Sequence, residues 1–165
     1  MAHHQRTALT ELDKKVLYYQ NKGHLVPPRK LIKTAEQIEG IRRSSVVNTG
    51  VLDLVAREIK AGMSTAEIDK LVYDYTVSHG AIPAPLNYEG FPKSVCTSVN
   101  EVVCHGIPSE AVVLKSGDIV NVDVSTIYKG YYSDSSRMFR IGRVDEERAA
   151  WSVWRRNVWR RGSRL

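Results

Sequence analysis

The sequence has only two cysteines, Cys96 and Cys104, eight positions apart and with no CxxC pair. That excludes a disulfide framework and a zinc ribbon, and leaves two reduced thiols lining a core or pocket. No apolar run approaches the roughly 20 residues that a membrane-crossing helix needs. The segment Met1 to Arg6 lacks the apolar core of a secretory signal. No membrane association is expected, and the cytoplasm is the expected location. Internal repeats and low-complexity stretches are missing as well. His3 and His4 are too few for a metal-binding tag and read as part of a solvated terminus.

What is present suffices for one domain with a hydrophobic core: 165 residues, 42% of them apolar. The net charge of +6 raises the question of a nucleic-acid partner. Its distribution argues against one. The last fifteen residues carry Arg155, Arg156, Arg160, Arg161 and Arg164 and no acid, and leaving out these five arginines lowers the net charge to +1. All three tryptophans (Trp151, Trp154, Trp159) lie there too. The basic, Trp-rich character belongs to this tail, and no DNA partner is expected.

Helical spacing of Leu12, Val16 and Tyr19 predicts a short helix from Thr10 to Gln20, with Gly23 just beyond it. Val26-Pro27-Pro28 reads as an extended linker. Thr34 and Gln37 form a capping-box pattern ahead of an apolar stripe of Ile38, Ile41, Val51, Leu52, Val55 and Ile59, with Gly62 as the stop. Ser64 and Glu67 repeat the cap, and Ile68, Leu71, Val72 and Tyr75 carry the next helix to Gly80. Residues 81–92, rich in Pro, Gly and Asn, read as loop. Val95 to Val103 reads as a strand, broken by Ile107-Pro108-Ser109. Ile119 to Ile127 alternates, with Val120, Val122 and Val124 on one face and Asn121, Asp123 and Ser125 on the other. A turn at residues 128–131 and a return strand from Tyr132 to Ile141 complete a hairpin.

Polarity inside that hairpin carries the chemical signal. Aspartate is disfavoured in strands and seldom buried without a partner. Asp123 lies in mid-strand and Asp134 on the return strand. A turn near Lys129-Gly130 puts both carboxylates on one face, opposite or diagonal, about 5 to 8 Å apart. Two readings follow from spacing alone. The aspartates are solvated on an open sheet face, as polar-out alternation in antiparallel sheets allows. Or they share a cation that relieves their repulsion. His105, in Cys104-His105-Gly106, is a loop histidine, a residue type more often structural than catalytic.

Two long strings shift the balance. Tyr88 to Ser109, YEGFPKSVCTSVNEVVCHGIPS, resembles the pocket-and-histidine segment of type I methionine aminopeptidases, and Ser116 to Phe139, SGDIVNVDVSTIYKGYYSDSSRMF, resembles their first metal-ligand hairpin. The resemblance runs from about Leu31 to about Glu147. It implies an α/β (α+β) pita-bread fold, of which the first half is present: an antiparallel sheet with covering helices. It implies a metal-dependent hydrolase that removes the N-terminal methionine from nascent chains with a small second residue, using two divalent metal ions (Co, Mn, Fe or Zn). By the same resemblance Asp123 binds one metal through both oxygens and Asp134 bridges the two. His105 hydrogen-bonds the substrate at the scissile amide. Tyr88, Phe91 and Cys96 line the pocket for the methionine side chain, where an aromatic- and sulfur-lined slot suits a thioether. Asn100 and Val102 match a backbone-type monovalent-cation site. Glu89 stands where some relatives carry a histidine. Work close to the ribosome and a monomeric complete enzyme are further implications.

The pattern then breaks. The family's site needs a further histidine and two glutamates. After Asp134 the sequence has no histidine, and its later acids are Asp145, Glu146 and Glu147. The expected organisation is therefore an N-terminal extension (1–28), the first half of a catalytic domain (29–148) and an aberrant tail (149–165). Back-translating Trp151 to Leu165 and shifting the frame by the third codon base permits L-V-x-V-A-E-E-C-L-E-A-G-I-A-A, an amphipathic helix, so a frameshift near Ala149-Ala150 is the expected origin of the tail. Such a chain should lack activity alone and show exposed apolar surface, an unprotected sheet edge and marginal stability. The competing reading is a non-catalytic module that binds peptides, or that docks on the ribosome or RNA through the basic tail.

Overall fold

The computed structural model describes residues 9–150, which fall into two compact units, one reaching to Glu36 and one starting at Gln37. In the first unit, helix α1 spans Glu11–Asn21. Thr10 caps it: its Oγ1 accepts from the Asp13 backbone N–H at 3.2 Å, and the Asp13 carboxylate accepts from the Thr10 N–H at 2.9 Å. This reciprocal box satisfies two donors that a helix start leaves without intrahelical partners. No residue of α1 is buried. Arg29, in a short 3-10 turn Arg29–Leu31 after Pro28, pairs with Asp13 at 3.1 Å.

The second unit is a helix-backed antiparallel sheet. Helix α2 spans Ala35–Glu58, starting one residue after Thr34, and α3 spans Thr65–Ser78. The expected capping box at Ser64 and Glu67 is present: Ser64 Oγ accepts from the Glu67 N–H, and Glu67 Oε2 accepts from the Ser64 N–H at 2.7 Å. Strands β1 (Ile82–Pro83), β2 (Cys96–Val99), β3 (Ile119–Tyr128) and β4 (Tyr131–Arg140) follow. Strand β4 pairs with β3 along its whole length, from Ile119↔Arg140 to Tyr128↔Tyr131. Strands β1 and β2 share the other edge of β3 end to end, at Ile127–Thr126 and Asp123–Val120. Among the described residues β4 has a strand neighbour on one edge only.

The β3–β4 turn is two residues long. Lys129 and Gly130 have φ of +49° and +82°, the double left-handed geometry of a type I′ hairpin, which matches the twist of the strands it joins. That turn fixes the register.

Register then fixes the faces. Val120, Val122 and Val124 are fully buried and join Val51, Leu52 and Val55 of α2 and Ile68 and Val72 of α3 in one core, closed by Val95, Leu114, Phe139 and Ile141. Each buried valine contributes about 1.5–3 kcal/mol through apolar burial. The inner face of α2 differs from the expected stripe. Val51, Leu52 and Val55 are buried as expected, but Ile38 is exposed, and Ser44, Val47 and Asn48 are buried instead. The reason is local: at positions 44 and 48 the helix faces hairpin backbone, where polar side chains find acceptors. Two other expectations are corrected. Residues 81–92 are not all loop, since Ile82–Pro83 pairs with β3. Strand β2 stops at Val99 because Asn100 turns left-handed (φ +51°) and locks its amide onto Asp118 Oδ1 and the Ile119 N–H.

Candidate active site

The face of β3 turned away from the helices carries Asn121, Asp123 and Ser125. Asp123 pairs in register with Ser136, and Asp134 with Ser125, so the two aspartates are diagonal neighbours on one face. Ser125 Oγ donates to Asp134 Oδ1 at 3.0 Å. On its other edge Asp123 is in register with Cys96. A pocket of about 930 Å³ opens over this face, lined by Tyr88, Phe91, Cys96, His105, Asp123 and Asp134 among others. Six residues singled out along 47 positions of sequence thus converge on one concavity.

Local backbone explains how the loops reach it. The loop carrying Tyr88 and Phe91 is tightly coiled: Asn87, Glu89 and Gly90 all have positive φ, and the Asn87 N–H donates to the Phe91 carbonyl at 2.8 Å. Its start is tied to the sheet by the Ala84 N–H, which donates to the Ser125 carbonyl. His105 is itself left-handed, at φ +55°, a conformation in which histidine is enriched over most other non-glycine residues. Gly106 anchors it. The Thr97 N–H donates to the Gly106 carbonyl at 2.8 Å, and the Gly106 N–H donates to Ser98 Oγ at 3.3 Å. A Cβ at position 106 would stand 2.1 Å from the Thr97 carbonyl oxygen. Only glycine lets the loop lie this close to β2.

The electrostatics are one-sided. Among the described residues, Asp123, Asp134 and Glu89 line the pocket, and no Lys or Arg does. Partial burial pushes the Cys96 thiol up to about 11, reinforced by Asp123, Cys104 and Asp134. In the metal-free pocket Cys96 is therefore a protonated, weakly polar part of the wall. Cys104 is exposed.

The donor chemistry suits a divalent cation as far as it goes. Asp123 and Asp134 are hard oxygen donors sharing one face of an acidic pocket. They supply two ligands, where a transition metal takes roughly four. Among the described residues no group of three or more His, Cys, Asp or Glu is placed to hold a metal. The pair fits as one side of a metal centre.

Asn100 and Val102 do not line the pocket. They sit in the turn after β2, where the Val102 N–H donates to the Val99 carbonyl. Tyr132, which sequence reasoning passed over, does line it, 65% exposed. Its signal was available, since it shares the strand parity of Asp134. The expected exposed apolar surface is present at the pocket, with Tyr88 66% and Ile107 55% exposed. The Arg/Trp-rich tail, and with it the frameshift and ribosome-docking readings, lies outside the described residues. No helix of the described residues is long and apolar enough to cross a membrane.

Comparison with known proteins agrees with the geometry. The model of metallopeptidase family M24 matches residues 39–159. Methionine aminopeptidase 1A of Arabidopsis thaliana is 52% identical over 115 residues, which are 70% of this chain and 29% of that protein. The methionine aminopeptidase of Chlamydia trachomatis is 51% identical over 118 residues, 70% of this chain and 40% of that protein. The crystal structure of methionine aminopeptidase from Rickettsia prowazekii superposes with a TM-score of 0.72 at 43% identity, covering 73% of this chain and 48% of that one. The architecture is thus the pita-bread fold, and the chain spans between 29% and 40% of the length of these two curated relatives.

Proposed function

We propose, from the premise that this chain belongs to metallopeptidase family M24, that its pocket is one side of a methionine aminopeptidase active site. The reaction is hydrolysis of the first peptide bond of proteins that begin with methionine followed by a small residue. The observation that carries this reading is the diagonal Asp123–Asp134 pair at the floor of a pocket walled by Tyr88, Phe91, Cys96 and His105.

Asp123 and Asp134 are the residues that would hold divalent metal, from among Co, Mn, Fe or Zn. Bound there, the metal supplies Lewis acidity, lowering the pKa of water and polarising the substrate carbonyl. The chain's own residues do the rest of the work on this side. Ser125 occupies Asp134 Oδ1 with a hydrogen bond and so limits the carboxylate's rotation. Tyr88 and Phe91 offer ring faces and Cys96 a neutral sulfur to the methionine thioether. His105, held by Gly106 against β2, donates to the scissile amide and stabilises the oxygen that becomes negative as the carbonyl is attacked. The acidic rim attracts the ammonium of a peptide N-terminus. The remaining metal donors and the general base are not among the described residues, so turnover belongs to the complete site. The setting is the cytoplasm, close to the ribosome, as a monomer.

The test is peptide selectivity. A Met-Ala-Ser peptide should perturb the amide resonances of Tyr88, Cys96 and His105 in the presence of diamagnetic Zn²⁺, and a Lys-Ala-Ser peptide should not. Asp123→Asn with Asp134→Asn should abolish the metal dependence. Equal perturbation by both peptides would overturn the reading.

A further inference from the structure

Behind the aspartates, on the covered side of the hairpin, the core is not apolar. Asn48 of α2 is buried and straddles β3 and β4. Its Nδ2 donates to the Val124 carbonyl at 2.7 Å, to Thr126 Oγ1 at 3.2 Å and, at the long end, to the Ser133 carbonyl at 3.4 Å. Its Oδ1 accepts from Ser135 Oγ. One turn earlier, Ser44 Oγ donates to the Thr126 carbonyl at 3.2 Å and pairs with Ser133 Oγ at 2.7 Å. Asn and Ser are poor helix-interior residues, and buried polar groups stabilise little beyond what apolar packing achieves. What such a network supplies is a defined geometry.

The atoms it grips are informative. The Val124 carbonyl belongs to the peptide that leads into Ser125, and the Ser133 carbonyl to the peptide that leads into Asp134. Ser125 and Asp134 face each other across the hairpin, and Ser125 holds the Asp134 carboxylate. Asp134 also stands between two serines, 133 and 135, whose hydroxyls both turn back to α2. The helix therefore clamps the backbone on both sides of the carboxylate from the opposite face of the sheet.

We propose that Asn48 is a positioning residue for the Asp123–Asp134 pair: its grip on β3 and β4 sets the orientation in which Asp134 meets a divalent cation. This rests on the metal-ligand reading of Asp134 given above. It extends outer support of a ligand through the sheet to a helix packed on the opposite face.

The experiment uses the full chain and Mn²⁺ alone, with free ion counted by electron paramagnetic resonance. Asn48→Leu preserves size and removes the four bonds that Asn48 makes, leaving those of Ser44. It should weaken Mn²⁺ binding about 10–100-fold, the range for lost outer-layer partners. The Asp134 χ1 couplings, read by NMR without metal, should change from one rotamer to an average. Ser135→Ala, a milder change, should move both readouts in the same direction by less, and serves if the leucine variant does not fold. Val72→Ala, a core truncation in α3, should lower the melting temperature and move neither. Unchanged affinity and a single Asp134 rotamer in Asn48→Leu would overturn the proposal, as would equal losses in Val72→Ala. If the unaltered chain holds no Mn²⁺ at millimolar concentration, the metal reading fails, and the rotamer readout alone decides the role of Asn48.

Discussion

Replacing Gly106 by alanine tests how the pocket's histidine is held. The added methyl carbon would lie 2.1 Å from the Thr97 carbonyl oxygen, 2.8 Å from its carbon and 3.1 Å from Ser98 Cα. A carbon and a carbonyl oxygen come no closer than about 3.3 Å even in favourable contacts. The loop must therefore retreat from β2 by about 1 Å. All the obstructing atoms are backbone in a paired strand, so the loop moves rather than the strand. Two hydrogen bonds go with it, from Thr97 N–H to the Gly106 carbonyl and from Gly106 N–H to Ser98 Oγ. At about 0.5–1.5 kcal/mol each, with an overpacking cost of about 1–3 kcal/mol, the change costs about 2–6 kcal/mol. Urea titration of the variant against the parent measures this directly, as a lower midpoint at unchanged slope. Functionally, a 1 Å displacement of His105 is of the size that costs about a hundredfold in a positioned reaction. The methionyl peptide should then perturb the His105 amide less than in the parent. A midpoint within about 0.5 kcal/mol of the parent, with peptide perturbation intact, would show that the loop is not pinned as described.

Two further outcomes are expected. Iodoacetamide at pH 8 should modify exposed Cys104 well before Cys96, whose thiol is raised from an ordinary 9.0 to about 11, a roughly hundredfold lower thiolate fraction; faster labelling at Cys96, read by peptide mass, would contradict the pocket electrostatics. The Glu67 carboxyl is held below its ordinary value, first by the Ser64 backbone N–H and then by its hydroxyl, so its contribution is complete above the ordinary glutamate pKa and is lost as pH falls through the lowered folded value; Glu67→Gln should flatten the acid limb of a melting-temperature profile, and a profile parallel to the parent's would remove Glu67 from the acid response.

Much of this geometry was legible in the sequence because it depends on local rules. Alternation put Val120, Val122 and Val124 on one side and Asp123 on the other. A Lys-Gly turn closed the hairpin, and parity did the rest. Ser64 and Glu67 announced the start of α3 by the spacing that a reciprocal cap demands. What escaped was set by tertiary neighbours. Asn48 and Ser44 interrupt the apolar stripe of α2, and only the hairpin backbone opposite them explains why. Their signal was a pair of poor helix formers one turn apart on the inward side. Strand β1 was hidden because a two-residue pairing containing Pro83 has no pattern of its own. The closeness of Gly106 to β2 is a contact with Thr97 and Ser98, nine and eight positions earlier, and leaves no trace in composition.

The two-residue turn at Lys129-Gly130 has a consequence for how this hairpin can vary. With ten consecutive pairs counted from the turn, the strands tolerate exchange of side chains but not of length. One residue added between Tyr128 and Tyr131 would slip the register, or force a bulge, and rotate Asp134 toward α2 while Ser133 or Ser135 took its place in the pocket. The stretch should therefore vary over time only by substitution. Insertions and deletions should be confined to segments that do not count out the distance between the two aspartates.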